Sequence, residues 1–219
     1  MSRLIVDISV SLDGFVAGPD QTLDEPLGRS GEDLHEWVFA TRRWREQHGM
    51  SGGEADLDSD LVDEHVDRIG ATIMGRRMFS GGEGPWEDDP KADAWWGDDP
   101  PFHHPVFVLT HHAREPVTKE GGTTFTFVTD GIESALEQAR AAAAGKDVAI
   151  GGGASAVQQY LAAGLLDELQ LHVVPLFLGG GVRLFDDRGG AAGQKLERTR
   201  VVESPTGVTH VKYQVSARS

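Results

Sequence analysis

Asp147-Val148-Ala149-Ile150-Gly151-Gly152-Gly153-Ala154-Ser155-Ala156-Val157-Gln158 is the stretch on which the fold turns. A short apolar run, three glycines and a series of helix formers predict a strand over 147–150, a tight turn and a helix over 154–163. Glycine lets the backbone approach a ligand closely. The first turn of a helix offers unpaired N–H groups at the positive end of its dipole. Two readings are open here. Ile150, Gly151, Gly152, Gly153, Ala154, Ser155 and Ala156 form either a cradle for a pyrophosphate-like anion or a turn with no ligand. Three glycines exceed what a turn needs, and glycine is entropically costly in mid-chain, which favours the cradle.

The same residues match Gly-x-Gly-x-x-Ala, the dinucleotide fingerprint of the doubly wound fold. That fold is rejected on two grounds. Its fingerprint belongs to the first strand–helix–strand unit, and here it comes late. An acidic residue is also expected at the end of the next strand, but that strand, 169–174, runs into Pro175-Leu176.

Outward from the cradle, residues 4–12 alternate and are β-branched, which predicts a first strand turned by Asp13-Gly14. The spacing of Leu34, Trp37, Val38 and Trp44 predicts a helix over 33–47. Residues 49–60 are expected to be loop, 61–68 a short helix, 71–74 a strand and 80–102 loop. Strands are expected over 105–110, 123–128 and 168–174, and an alanine-rich helix over 131–144. A hairpin over 195–202 and 208–215, turned at Ser204-Pro205-Thr206-Gly207, closes the chain. Alternation of strands and helices predicts a mainly parallel sheet with helices on both faces and the antiparallel hairpin at one edge. With no repeat and no linker, one domain over 1–219 is expected.

The chain carries 35 acidic and 20 basic residues, a net charge of -15. Nucleic-acid binding needs basic surface to displace counterions, so no nucleic-acid partner is expected, and any anion site must be made locally. There is no cysteine, which excludes disulfides and thiolate metal sites. No signal peptide opens the chain and no apolar stretch approaches a membrane span, so a cytoplasmic protein without a membrane partner is expected.

Two further elements can hold an anion. Gly75-Arg76-Arg77 follows a strand, and guanidinium binds phosphate with fixed geometry. Thr110-His111-His112 follows another strand and offers a hydroxyl and imidazoles. Each alone is a weak signal, but their order before the glycine cradle is informative.

With that order in view, the chain resembles the dihydrofolate-reductase-like superfamily, and within it the reductase domain of bacterial riboflavin biosynthesis and its stand-alone relatives. The likeness is carried by residues 11–17 (SLDGFVA), 73–79 (IMGRRMF), 108–110 (VLT), 150–153 (IGGG), 167–169 (DEL) and 176–181 (LFLGGG). It implies a three-layer α/β/α fold with a mostly parallel central sheet and an antiparallel C-terminal hairpin. It also implies NADPH as cofactor, a homodimer, and a small flat heterocycle, such as a pyrimidine or pteridine, as hydride acceptor. By resemblance, Gly75, Arg76, Arg77, Met78, Thr110 and His111 hold the adenosine 2′-phosphate side, and Gly152 to Ala156 the pyrophosphate. Val16 and Ala17 lie against the nicotinamide. The deaminase that accompanies many riboflavin-type reductases needs a cysteine-bearing zinc motif that this chain lacks.

Reduction of a C=N or C=O bond also needs a proton. The resemblance points to Asp33 as the acid early in the first helix; a helix cap is the competing and weightier reading. Asp13 is a second candidate, against a turn residue before Gly14. His103-His104 and His111-His112 do not make a metal site, because adjacent histidines in an extended chain point to opposite sides. Trp86, Trp95 and Trp96 pack their loop onto the body or stack on a heterocycle, the first being favoured. A noncatalytic nucleotide-binding regulator of the same fold is the alternative to a reductase.

Overall fold

The computed structural model describes residues 2–89, 91–93, 95–186 and 193–216. Two positions of the loop expected over 80–102, Pro90 and Ala94, therefore lie outside the described residues. The first half contains β1 (Leu4–Ser11), β2 (Phe15–Ala17), α1 (Glu36–Phe39), α2 (Arg42–Gln47), α3 (Leu57–Arg68), β3 (Ile69–Gly75), α4 (Arg76–Ser80) and β4 (Pro105–Leu109). The second contains β5 (Val117–Thr118), β6 (Thr124–Val128), α5 (Ile132–Ala142), β7 (Asp147–Gly152), α6 (Ala154–Ala162), β8 (Glu168–Val174), β9 (Val182–Arg183), β10 (Leu196–Glu203) and β11 (Thr209–Val215).

Nine strands form one sheet in the order β10-β11-β8-β1-β7-β3-β4-β6-β5. From β8 to β6 every neighbouring pair is parallel, and the β10–β11 hairpin joins β8 antiparallel. This is the expected mixed α/β architecture. Short β5 adds an unexpected antiparallel strand at the far edge.

The two faces differ in chemistry. Leu4, Val6, Ile73, Val148, Ile150 and Leu169 pack with Ala135, Leu136, Ala139, Val157 and Tyr160 from α5 and α6. Each large side chain buried here contributes roughly 1.5–3 kcal/mol. On the opposite face β1 presents Ile5, Asp7, Ser9 and Ser11, because strand side chains alternate. A parallel strand covered on both faces usually reads as continuously apolar, so the alternation in β1 marks a buried polar layer.

Three expectations change. The helix over 33–47 is broken: a 3-10 turn over Glu32–His35 leads into α1, and Thr41 adopts an extended backbone and caps α2, accepting from the Trp44 N–H at 3.4 Å. α3 begins inside the segment expected to be loop, because the Asp56 carboxylate caps it by accepting from the Ser59 N–H at 3.1 Å. A small antiparallel ribbon, β2 with β9, was not foreseen. It requires glycine at 181, where φ is +112° and a Cβ would lie 2.1 Å from the Ala17 carbonyl oxygen.

Candidate functional site

Parallel strands end on the same side of a sheet, so the register decides which loops meet. Met74 lies opposite Gly152, and Gly75 opposite Leu109. The glycine cradle, the Gly75-Arg76-Arg77 turn and Thr110 thus stand side by side at the carboxyl ends of β7, β3 and β4, where open α/β sheets bind ligands. The Ser11-Asp13 turn follows β1, next to β7. Elements far apart in sequence meet along one edge.

At the cradle, Ile150 is buried and anchors β7. Gly151 passes close to Thr72, whose Cγ2 would be 3.0 Å from an added Cβ. Gly152 has φ +124°, and the peptide between Gly152 and Gly153 is cis. A Cβ on Gly153 would meet nothing within 4 Å. Gly153 caps α6 without a side-chain hydrogen bond, while its carbonyl accepts from Ala156 and Val157. The start of α6 therefore faces open space with donors that no side chain caps, which suits a closely approaching anion. Ala154 and Ala156 are buried and hold the helix down; Ser155 is exposed.

Gly75 caps α4, also without a side-chain bond. Arg76 departs from its expected role. Its guanidinium is buried, bonded to Asp89 at 2.6 Å and to Ser80, and lies 3.7 Å over the Trp86 ring. That side chain is committed to holding the loop after α4, so the expectation of a phosphate-binding guanidinium is corrected for Arg76. Asp89 is held ionised: burial raises its pKa, but Ser80 and Arg76 bring it below the ordinary value. Arg77 is exposed and pairs with Glu83 at 2.5 Å. Met78 Sδ would lie 3.8 Å from a Cβ on Gly152. The Thr110 hydroxyl accepts from the His112 N–H at 3.1 Å, and His111 is exposed. Trp86 packs on Phe79 and Phe127, as the loop-anchoring reading expects.

Neither catalytic candidate is placed as a buried acid. Asp33 is exposed within the 3-10 turn, and Gly31, not Asp33, occupies the cap, so the cap reading is corrected as well. Asp13 accepts from Ser11 Oγ at 2.6 Å, from the Leu178 N–H at 3.1 Å and from the Gly179 N–H at 2.8 Å. The Ser11 bond and these backbone donors lower its pKa and place the carboxylate as an acceptor. Val16 is half-buried and Ala17 buried in the β2–β9 ribbon.

A cleft of about 740 Å³ opens between α6 and this ribbon, within the range of small-molecule sites. Ser155 and Gln158 lie on one side and Phe15 and Arg183 on the other, with Arg77 also in its lining. Sequence reasoning missed Arg183 and Phe15 in this role, because only the ribbon brings them to the cradle.

It also missed a buried polar line on the β1 face. Asp7 meets His172 at 2.6 Å, His172 meets His210 at 2.6 Å through their Nδ1 atoms, and His210 meets Asp58 at 3.0 Å. His65 lies 3.4 Å from Asp7, and Trp37 covers both rings while its N–H donates to Ser9. Burial and His172 lower the His210 pKa; burial raises that of Asp7, but His172 and His65 outweigh it. Ser204 and Thr206 donate to the second Asp58 oxygen. The signal was present as polar residues on the inner side of β1, β8 and β11.

The family model of the RibD C-terminal domain matches residues 2–210. The chain is 24% identical to Uncharacterized protein YyaP of Bacillus subtilis, over 96% of this chain and 94% of that one. Its structure is similar to that of a putative riboflavin biosynthesis protein from Shewanella sp. PV-4, with TM-score 0.64 and 20% identity over 98% of this chain and 99% of the other. It is also similar to dihydrofolate reductase from Enterococcus faecalis complexed with NADP(H), with TM-score 0.50 and 14% identity over 97% and 96% of the two chains. The fold is dihydrofolate-reductase-like. Among the described residues no helix is long and apolar enough to cross a membrane.

Proposed function

The chain belongs to the RibD C-terminal domain family, and from that premise and the site geometry we propose that it is an NADPH-dependent reductase of a small flat heterocycle of the pyrimidine or pteridine class. The observation that carries this reading is the adjacency of three anion-binding elements at the ends of β7, β3 and β4, beside an open cleft.

The residues fit the cofactor. Gly153 leaves room where a side chain would intrude, and the uncapped start of α6 offers donors to a diphosphate. In this assignment Gly151 to Ala156 hold the diphosphate. Arg77, Thr110 and His111 hold the 2′-phosphate side, with the main chain of Gly75 and Arg76 and the side chain of Met78 shaping it. Val16 and Ala17 form the wall against the nicotinamide. When bound, NADPH supplies a hydride, and the protein orients it against the acceptor. With Asp13 locked as an acceptor and Asp33 exposed to water, we assign the proton to solvent entering the open cleft. The chain acts as one domain over 1–219 and pairs as a homodimer, which sedimentation checks.

Titrating the pure protein into NADPH while following nicotinamide fluorescence tests the reading; no binding at millimolar cofactor overturns it. Turnover is then followed with a panel of pyrimidines and pteridines. Binding without oxidation by any of them favours the noncatalytic regulator.

A further inference from the structure

We infer that Arg183 is a diphosphate-binding residue, making the anion site two-sided with the start of α6 on one wall and a guanidinium on the other. This deepens the dinucleotide reading above and rests on it for the identity of the full ligand. Three observations carry it. First, Arg183 and Ser155 line the same cleft from opposite elements, β9 and α6. Second, the side chain is held in place before any ligand arrives. Its Nη1 donates to the Asp13 carbonyl at 3.0 Å, and its Cζ lies 4.3 Å over the Phe15 ring. The width of the cleft is set as well, because the Gln158 side chain of α6 donates to the carbonyls of Arg183 and Leu184 at 3.4 and 3.0 Å.

Third, the charge stands apart. In a chain of net charge -15, Arg77 in the same lining is paired with Glu83, and Arg76 nearby is paired with Asp89. Among the described residues no carboxylate pairs with Arg183, although Asp186 shares the lining. A guanidinium held in a cleft that the first turn of α6 also lines matches an extended dianion better than a neutral heterocycle. Guanidinium bonds two phosphate oxygens with fixed geometry.

The test uses the full chain with Arg183→Met, whose apolar stem keeps the contact with Phe15, and Arg183→Lys, which keeps the charge and loses the fork. Calorimetric titrations with NADPH, NADH, inorganic pyrophosphate and adenosine 2′-monophosphate are compared. The expected result is a Kd about tenfold weaker in Arg183→Met for NADPH, NADH and pyrophosphate. Arg183→Lys should fall between, and adenosine 2′-monophosphate should bind as to the unaltered protein. Unchanged pyrophosphate affinity in Arg183→Met overturns the inference, as does equal weakening of all four ligands, which marks a structural effect. If the unaltered protein binds pyrophosphate in an Arg183-dependent way but no NADPH, the reductase reading fails and the diphosphate assignment stands.

Discussion

The cradle at the end of β7 and the Asp7–His172–His210–Asp58 line under Trp37 are both polar, and they are built on opposite terms. In the line the donors and acceptors meet one another inside the protein. At the cradle the start of α6 lacks a side-chain cap and the space in front of Gly153 is open. Polar groups satisfied internally hold elements together; polar groups left toward a cleft are available to a ligand. Substitutions in the line should therefore cost stability and spare binding, and substitutions in the cradle should do the reverse.

The largest effect is expected from Asp58→Ala. It leaves His210, Ser204 and Thr206 without their acceptor and should cost about 3 kcal/mol of stability. The midpoint of urea denaturation reads this, and NADPH affinity should be unchanged under folding conditions. A loss of binding without loss of stability would break the comparison.

Acid comes next. His210 and His104 have lowered pKa values, His104 pushed down to about 4, chiefly by burial. Below their ordinary value near 6.5 the unfolded chain binds more protons, so stability should fall as pH drops from about 6.5 toward 4. By that linkage the His104 share is at most about 3 kcal/mol by pH 4. Asp7 adds to the loss only below its ordinary value of 3.8. Urea titrations of the protein and of His104→Gln at several pH values check both sign and share.

Gly153→Ala sharpens the other side. A Cβ there meets no protein atom within 4 Å, so stability should change by at most about 1 kcal/mol. The Kd for NADPH should rise about tenfold as the methyl enters the cradle. The smallest effect belongs to Asp13→Asn, which weakens the tie to Leu178 and Gly179 and should lower the midpoint of urea denaturation only slightly. Its pH–rate profile should match that of the unaltered protein. A collapse of turnover would make Asp13 the proton donor.

What could be read in advance follows the range of the interactions. Strand and helix over 147–163 are local, and periodicity with the glycine run located both. The mainly parallel sheet with a hairpin at one edge was also legible, because alternating strands and helices restrict topology, but the order of its strands was not. The break at Thr41 and the early start of α3 were hidden in cap chemistry at Thr41 and Asp56, where one side chain overrides the helical spacing. Arg76 looked like a phosphate ligand because a strand-end arginine carries no local sign of Asp89 and Trp86 folding over it. The histidine line needed three strands and a helix in register, which no window of sequence contains.

The β2–β9 ribbon has a consequence in time. Asp13 and Phe15 reach Gly179 and Arg183 across more than 160 positions of chain, the Asp13–Gly179 bond alone spanning 166. Long-range pairings of this kind form late, after shorter loops have closed. On the ribosome the start of α6 therefore emerges before its opposing wall exists. A chain stopped short of Arg183 would carry the glycine cradle without the β9 side of the cleft that faces it.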